Sequence, residues 1–294
     1  MQHKTVLLSE AVDGLRVSKN DIVVDATFGC GGHAKEIIGK LGKKGCYIGI
    51  DTDATAFNQV KLGEVIPRIH LVNDNFKNVS TILDSLNIRQ VNAILADLGW
   101  RMEQFADTDK GFSFKSDGPL YMTFGDPKNY DFTAEDIIND WDEHVIADIL
   151  FGYAEERFAR RIAKGIVTAR KVKRITSTFE LVKIVENSLP KIALNKKIHP
   201  ATKTFQGLRI AVNDELRVLE QFIKDGFSRL AKGGNMAIIT FHSIEDRIVK
   251  LSFRELVKAG LGELKNKKPI TSSEEELKAN PRARSAKLRI IKKF

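Results

Sequence analysis

The sequence predicts an α/β fold in which a mostly parallel, doubly wound sheet is interrupted by a helical insertion. Two observations predict it. Short β-branched runs alternate with helical stretches through the first hundred residues, and strand signal then vanishes for about 130 residues before it returns near residue 235. The 294 residues, 43% hydrophobic and 29% charged, suit one large domain or two moderate ones with a packed core.

The first unit is read from Ile22-Val23-Val24-Asp25, which breaks into Phe28-Gly29-Cys30-Gly31-Gly32-His33 and a helical stretch from Ala34 to Leu41. This is strand, glycine loop, helix. Cys46 to Ile50 forms a second strand that ends at Asp51, with a helix expected over Ala54 to Val65. Ile69 to Val72 and Val91 to Ala96 follow as third and fourth strands, the latter ending at Asp97. From Thr133 to about Leu194 only helical periods occur. Leu208, Val212, Leu216, Leu219, Ile223, Phe227 and Leu230 trace one face of a long helix, a core-packing pattern. Asn235 to Phe241 and Lys287 to Ile291 close the sheet. The expected division is a discontinuous domain of residues 1–106 and 200–294, with 107–199 inserted between.

Charge is unevenly placed. Residues 107–156 carry 3 basic against 13 acidic side chains, residues 157–203 carry 13 against 2, and residues 277–294 carry 7 basic and none acidic. Two basic blocks favour an extended polyanion such as nucleic acid as partner over a small neutral metabolite. Arg157, Arg160, Arg161 and Lys164 share one face of an expected helix from Arg157 to Lys171, with Phe158, Ile162 and Ile166 on another; Arg282 and Arg284 stand in the second block. The same arginines could instead pair with Glu155, Glu156 and the acidic block.

Two cysteines, Cys30 and Cys46, make no disulfide framework, and the six histidines lack metal-ligand spacing, so no metal is expected. No apolar run is long enough to cross a membrane, and the N-terminus lacks a secretory signal, which points to a cytoplasmic protein.

The chemistry lies in the glycine loop. Gly29-x-Gly31-x-x-Ala34 satisfies the relaxed dinucleotide pattern, which keeps a nicotinamide cofactor open. Asp25 before the loop would repel a pyrophosphate but can receive an ammonium group, and Asp51 can accept both hydroxyls of a ribose. Acid, glycine loop, second acid suits S-adenosyl-L-methionine; the alternative is that Asp25 caps a turn and Asp51 a helix. Phe76 could pack on the adenine. Asp97-Leu98-Gly99-Trp100 stands where the central strands open into the ligand crevice: Asp97 can orient an exocyclic amine and Trp100 can stack on a base. A lone phenylalanine such as Phe76 is more often a core residue, and Trp100 could instead be one.

The ordered run of HKTVLLSEAV, DATFGCGGH, GIDTD, KGFSFKSDGPL, EERFARRIAKGI, HPATKTFQGLRIAVNDEL, ITFHSIEDRIVK and NPRARSAKLRI resembles the bacterial 16S ribosomal RNA cytosine-N4 methyltransferases, the RsmH or MraW family. The resemblance implies a class I S-adenosylmethionine-dependent methyltransferase, Rossmann-like, with an inserted helical substrate domain. It also implies methylation of the N4 amine of one cytidine in small-subunit rRNA, with neither DNA nor membrane as partner, and is compatible with a homodimer. Cofactor positions carried over by it are Gly31, Gly32, His33, Asp51, Phe76, Asp97 and Gln104. The chain departs from the family at Trp100-Arg101-Met102-Glu103, where Val-Ser-Ser-Pro is usual, at Tyr121 to Gly125, and at Ala154. These changes leave room for a cofactor-binding protein that binds RNA without methylating it, or for a different target.

Overall fold

The computed structural model describes residues 4–59, 67–98, 110–194 and 198–294. The chain divides into two compact units, Met1–Gly99 with Leu216–Phe294, and Trp100–Glu215.

The first unit is built on seven strands: β1 (Ile22–Asp25), β2 (Cys46–Asp51), β3 (Arg68–Asn73), β4 (Val91–Asp97), β5 (Leu230–Thr240), β6 (Gly262–Leu264) and β7 (Lys287–Lys293). Their order is β3-β2-β1-β4-β5-β7-β6. The pairings from β3 to β5 are parallel, whereas β7 is antiparallel to both β5 and β6. The chain order reverses between β1 and β4, so a crevice opens beyond their carboxyl ends. This is the sheet of the class I methyltransferase fold.

Successive residues on a strand face opposite ways, and here both faces are covered. Val24, Ile48, Ile94 and Ile238 pack on one side with Leu219, Phe222, Ile223 and Phe227 of the helix Glu215–Arg229 and with Val249 and Phe253 of the helix Ser243–Lys258. Val23, Tyr47, Leu95 and Ile239 point to the other side, against Ala11, Val12 and Leu15 of the helix Leu8–Leu15 and Ala34 and Ile37 of the helix Gly32–Lys40. On the C-terminal strand the Arg289 guanidinium grips the Asp246 carboxylate through two hydrogen bonds, 2.7 and 3.2 Å, with the Lys287 ammonium 3.3 Å away. Burial alone would raise the Asp246 carboxyl, but the two cations hold it below the usual carboxylate range.

The second unit is helical, with helices Ala134–Asp140, Glu143–Ala154, Ala159–Arg170, Thr178–Ser188, Lys191–Leu194 and Thr202–Asn213. Its core gathers Ile137, Ile146, Leu150, Ile162, Ile166, Leu181 and Leu208. Thr133 and Asp136 form a reciprocal capping box at the first of these helices.

Four details differ from the sequence expectation. The long helix through Leu208 and Leu230 is two helices, Thr202–Asn213 and Glu215–Arg229, broken at Asp214, whose φ is 49°. Leu208 and Val212 join the core of the helical unit, whereas Leu219, Ile223, Phe227 and Leu230 join the sheet. The spacing of apolar residues runs unbroken across the joint, so periodicity does not reveal it; an aspartate tolerates the left-handed turn. The stretch after β2 is a 3-10 helix over Ala54–Gln59, and the remainder of that expected helix lies outside the described residues. The helix expected from Arg157 starts at Ala159. The short β6 carried no strand signal of its own and forms by pairing with β7.

Candidate active site

The site grows from the carboxyl ends of β1, β2 and β4, which bring Asp25, Asp51 and Asp97 to the same edge of the sheet. β1 pairs directly with both neighbours, with Asp25 in register with Gly49 on β2 and Leu95 on β4.

The glycine loop leaves β1 and enters the helix Gly32–Lys40. Gly29 and Gly31 have φ values of 56° and 72°, the left-handed region that a side chain disfavours. Gly31 is the N-cap and offers no side chain to the first turn of the helix. Phe28 anchors the loop from below, packing on Phe57 at 5.2 Å and edge-on to Tyr47 at 6.5 Å. Gly49 on β2 makes room for it: a Cβ there would lie 2.7 Å from the Phe28 ring.

Asp25 is 1% exposed. Its carboxylate accepts a hydrogen bond from the Tyr47 hydroxyl at 2.8 Å and from the backbone N–H of Thr27 at 3.3 Å. Burial pushes the Asp25 carboxyl up to about 6 against the pull of those two hydrogen bonds, and the nearby charge of Asp51 adds to the rise. Burial, and then the charge of Asp25, pushes the Tyr47 hydroxyl up as well, so it stays a donor. Asp25 therefore sets the loop as well as lining it.

Asp51 closes the loop from the β2 side. One oxygen accepts from the Gly29 N–H and the other from the Asp53 N–H, both at 2.9 Å. A carboxylate oxygen can accept more than one hydrogen bond. The carbonyl of Asp51 accepts from the Asn73 amide at 2.9 Å, tying the ends of β2 and β3 together. Phe76 follows β3 at the start of the 3-10 turn Phe76–Asn78, half-buried, with its ring edge-on to Phe222 at 5.0 Å. It combines the two readings, packing against the core while leaving part of the ring accessible.

Asp97 ends β4. Its backbone N–H donates to the Thr27 hydroxyl at 2.6 Å, so the tip of β4 is pinned to the loop after β1. Its carboxylate stands 3.9 Å from Nδ1 of His33, a buried residue of the first turn after the glycine loop. Gly29, Gly31, Gly32, His33, Asp25, Asp51 and Asp97 thus form one connected edge. Trp100 and Gln104 lie outside the described residues. Sequence reasoning passed over Tyr47 and Thr27. The available signals were a tyrosine within a fully apolar strand, whose hydroxyl requires a buried partner, and a threonine between Asp25 and the loop.

The donor set fits a cationic, phosphate-free ligand. Three carboxylates border the loop, and no lysine or arginine occurs between Asp25 and Ala34. A pyrophosphate would meet repulsion where a sulfonium, an ammonium and ribose hydroxyls would find acceptors. These residues fit S-adenosylmethionine and not a nicotinamide dinucleotide.

On the helical unit Arg157, Arg160, Arg161 and Lys164 are all exposed, while Ile162 and Ile166 are buried beneath them. Among the described residues none of the four cations stands within 4.0 Å of a carboxylate. The acidic block is answered elsewhere: Arg174 forms two hydrogen bonds to Asp140, at 2.9 and 3.0 Å, and one to Glu135 at 3.1 Å. Arg282 and Arg284 are exposed in the turn Pro281–Ser285 of the sheet unit, held by buried Ala283. Among the described residues no helix is long and apolar enough to cross a membrane.

A model of the MraW methylase family matches residues 1–294. A protein of Halothermothrix orenii named ribosomal RNA small subunit methyltransferase H is 41% identical over 309 aligned positions, covering 100% of this chain and 99% of that one. Proteins of the same name from Clostridioides difficile and Clostridium botulinum are each 40% identical over 309 positions, with at least 99% of both chains covered. With its sheet order, its glycine loop and this match along the whole length, the chain belongs to the MraW methylase family.

Proposed function

We propose that the chain is an S-adenosylmethionine-dependent enzyme that methylates the exocyclic N4 amine of a cytidine in small-subunit ribosomal RNA. The observation that carries this reading is the row of Asp25, Asp51 and Asp97 at the ends of β1, β2 and β4, joined through the glycine loop. When bound, S-adenosylmethionine supplies an electrophilic methyl group on a sulfonium.

In this reading Asp51 accepts the ribose hydroxyls, and its bond to the Gly29 N–H keeps the loop open to receive them. Gly31, Gly32 and His33 line the methionine side, and Asp25 places a carboxylate beneath its ammonium. Phe76 offers a partly exposed ring to the adenine, and Gln104 is the remaining cofactor contact. Asp97 accepts a hydrogen bond from the cytosine amine and sets its lone pair in line with the methyl. The amine of cytosine is conjugated and weakly nucleophilic, so positioning supplies most of the rate. Trp100 stacks on the base. With the methyl group supplied by the cofactor, the Asp97 carboxylate would take up, directly or through water, the proton that the cytosine amine gives up.

Arg157, Arg160, Arg161 and Lys164, with Arg282 and Arg284, hold RNA phosphates. A small ribosomal subunit or its RNA is the partner, and the cytoplasm is the compartment that contains both; a homodimer is compatible with this reading. The domain division proposed for substrate binding is the sheet unit for cofactor and the inserted helices for RNA. Incubation of the protein with methyl-labelled S-adenosylmethionine and small-subunit particles from a strain lacking the enzyme tests it. Label in one cytidine of the rRNA is the expected result, and particles that stay unlabelled would overturn it.

A further inference from the structure

The helical unit carries a pocket of about 360 Å³ beside the turn that joins its second and third helices. Phe151, Asp148, Glu156, Arg157, Arg160 and Arg161 line it. Phe151 is 66% exposed, although it belongs to the helix Glu143–Ala154, whose Ile146, Ile149 and Leu150 are buried. A lone exposed phenylalanine would need no explanation. This one shares its pocket with three arginines that stand within 4.0 Å of no carboxylate among the described residues.

We propose that this pocket takes one unpaired nucleotide of the RNA substrate, its base stacked on Phe151 and its flanking phosphates on Arg157, Arg160 and Arg161. Every base has a π-face, so an exposed phenyl ring among arginines suits single-stranded nucleic acid, and the guanidinium planes can stack as well. The two carboxylates decide what enters. Glu156 is 7% exposed and is held by the Phe158 N–H at 2.8 Å, while Asp148 is exposed at the rim. Both disfavour a phosphate inside the pocket and can accept from the amino edge of a base. The base therefore goes in and the phosphates stay on the outer arginines. The turn that shapes the pocket is fixed by the left-handed Glu155, φ 50°, and by the bond of Glu156 to its own loop.

The inference rests on the RNA-modifying function proposed above, and it is tested so that the two can fail separately. The full chain is titrated by fluorescence anisotropy with a labelled single-stranded oligoribonucleotide and with the duplex it forms with its complement. Base stacking on one aromatic ring is worth about fivefold in affinity at the low end of its range. Phe151→Ala is expected to weaken single-strand binding at least about fivefold, to leave duplex binding and the salt slope unchanged, and to be rescued by Phe151→Trp. Arg160→Ala with Arg161→Ala is expected to lower the salt slope for both RNAs. Because Phe151 is exposed, its loss should not lower the melting temperature. An equal loss on both RNAs would overturn the proposal. So would wild-type affinity in Phe151→Ala, which would leave the pocket to an acidic protein partner. Methyl transfer by the wild-type chain is read alongside. Transfer together with an unaffected Phe151→Ala removes the pocket and keeps the enzyme, whereas absence of transfer removes the enzyme, and the binding titrations still decide the pocket.

Discussion

The carboxylate of Asp51 accepts the backbone N–H of Gly29 at 2.9 Å, so the residue proposed to hold the ribose also holds the loop proposed to hold the methionine. Cofactor affinity and loop order are thereby coupled in one side chain. Asp51→Ala removes both an acceptor for the ligand and the brace for Gly29. Hydrogen bonds to a charged group contribute about 1.5 to 3 kcal/mol, so affinity for S-adenosylhomocysteine should fall roughly tenfold or more by titration calorimetry. An unchanged Kd would remove Asp51 from the site.

Asp25 gives the site a pH dependence whose sign follows from its burial. Its carboxyl titrates near 6 in the folded chain against 3.8 ordinarily, so between those values the folded state holds a proton that the unfolded state has released. The group's contribution to stability is then greatest below about pH 4 and is lost as the pH rises to about 6, by about 3 kcal/mol for a shift of this size. A cation bound at the loop draws the carboxyl back into its charged form. Cofactor affinity should accordingly rise from pH 5 to 7 with uptake of the cation and release of a proton, and Asp25→Asn should flatten that rise. Calorimetry in buffers of different ionisation enthalpy reads the proton directly; a flat profile in the wild-type chain would contradict it.

Gly49 is kept small by the loop anchor. In Gly49→Ala the new Cβ would meet the Phe28 ring at 2.7 Å, with Leu71 and Tyr47 side-chain atoms both at 3.1 Å. Overpacking of this kind costs about 1 to 3 kcal/mol. Denaturant unfolding should show that loss, and Phe28→Leu in the same chain should recover part of it. If Gly49→Ala were as stable as wild type, Phe28 would not be fixed where the loop needs it.

The basic face of the helical unit is expected to act on RNA through charge. Each phosphate neutralised contributes about 0.7 to 0.9 to the slope of log affinity against log salt. Arg160→Ala with Arg161→Ala should weaken RNA binding and lower that slope by one to two contacts, while S-adenosylhomocysteine binding stays as in the wild type. A preserved slope with a reduced melting temperature would instead make these arginines part of the fold.

Much of this was legible because strands announce themselves where both faces of a sheet are buried. Val23 and Val24 serve opposite cores, so their run is uninterrupted and apolar, and an acid at its end must be at the sheet edge. That logic located Asp25, Asp51 and Asp97. It could not find the break at Asp214, because the apolar spacing continues through it, nor β6, whose three residues are strand only through pairing with β7. The Tyr47 to Asp25 and Asp97 to Thr27 bonds join residues 22 and 70 positions apart, and no local pattern encodes them. Charge counts located the basic blocks but not their partners: Arg174, from within the basic block, engages the acidic helix, and Arg157, Arg160 and Arg161 do not.

Asp97, proposed to orient the amine, has its backbone pinned by Thr27 and its carboxylate 3.9 Å from Nδ1 of His33. The most direct measurement is single-turnover methyl transfer to small-subunit rRNA by wild-type chain and by Asp97→Asn, with the product nucleoside identified by mass spectrometry. Wild type should yield N4-methylcytidine, and Asp97→Asn should transfer at least about a hundredfold more slowly, the lower range for a positioned proton acceptor. Wild-type transfer rates in Asp97→Asn, or a methyl on any atom other than the cytidine N4, would contradict the assignment.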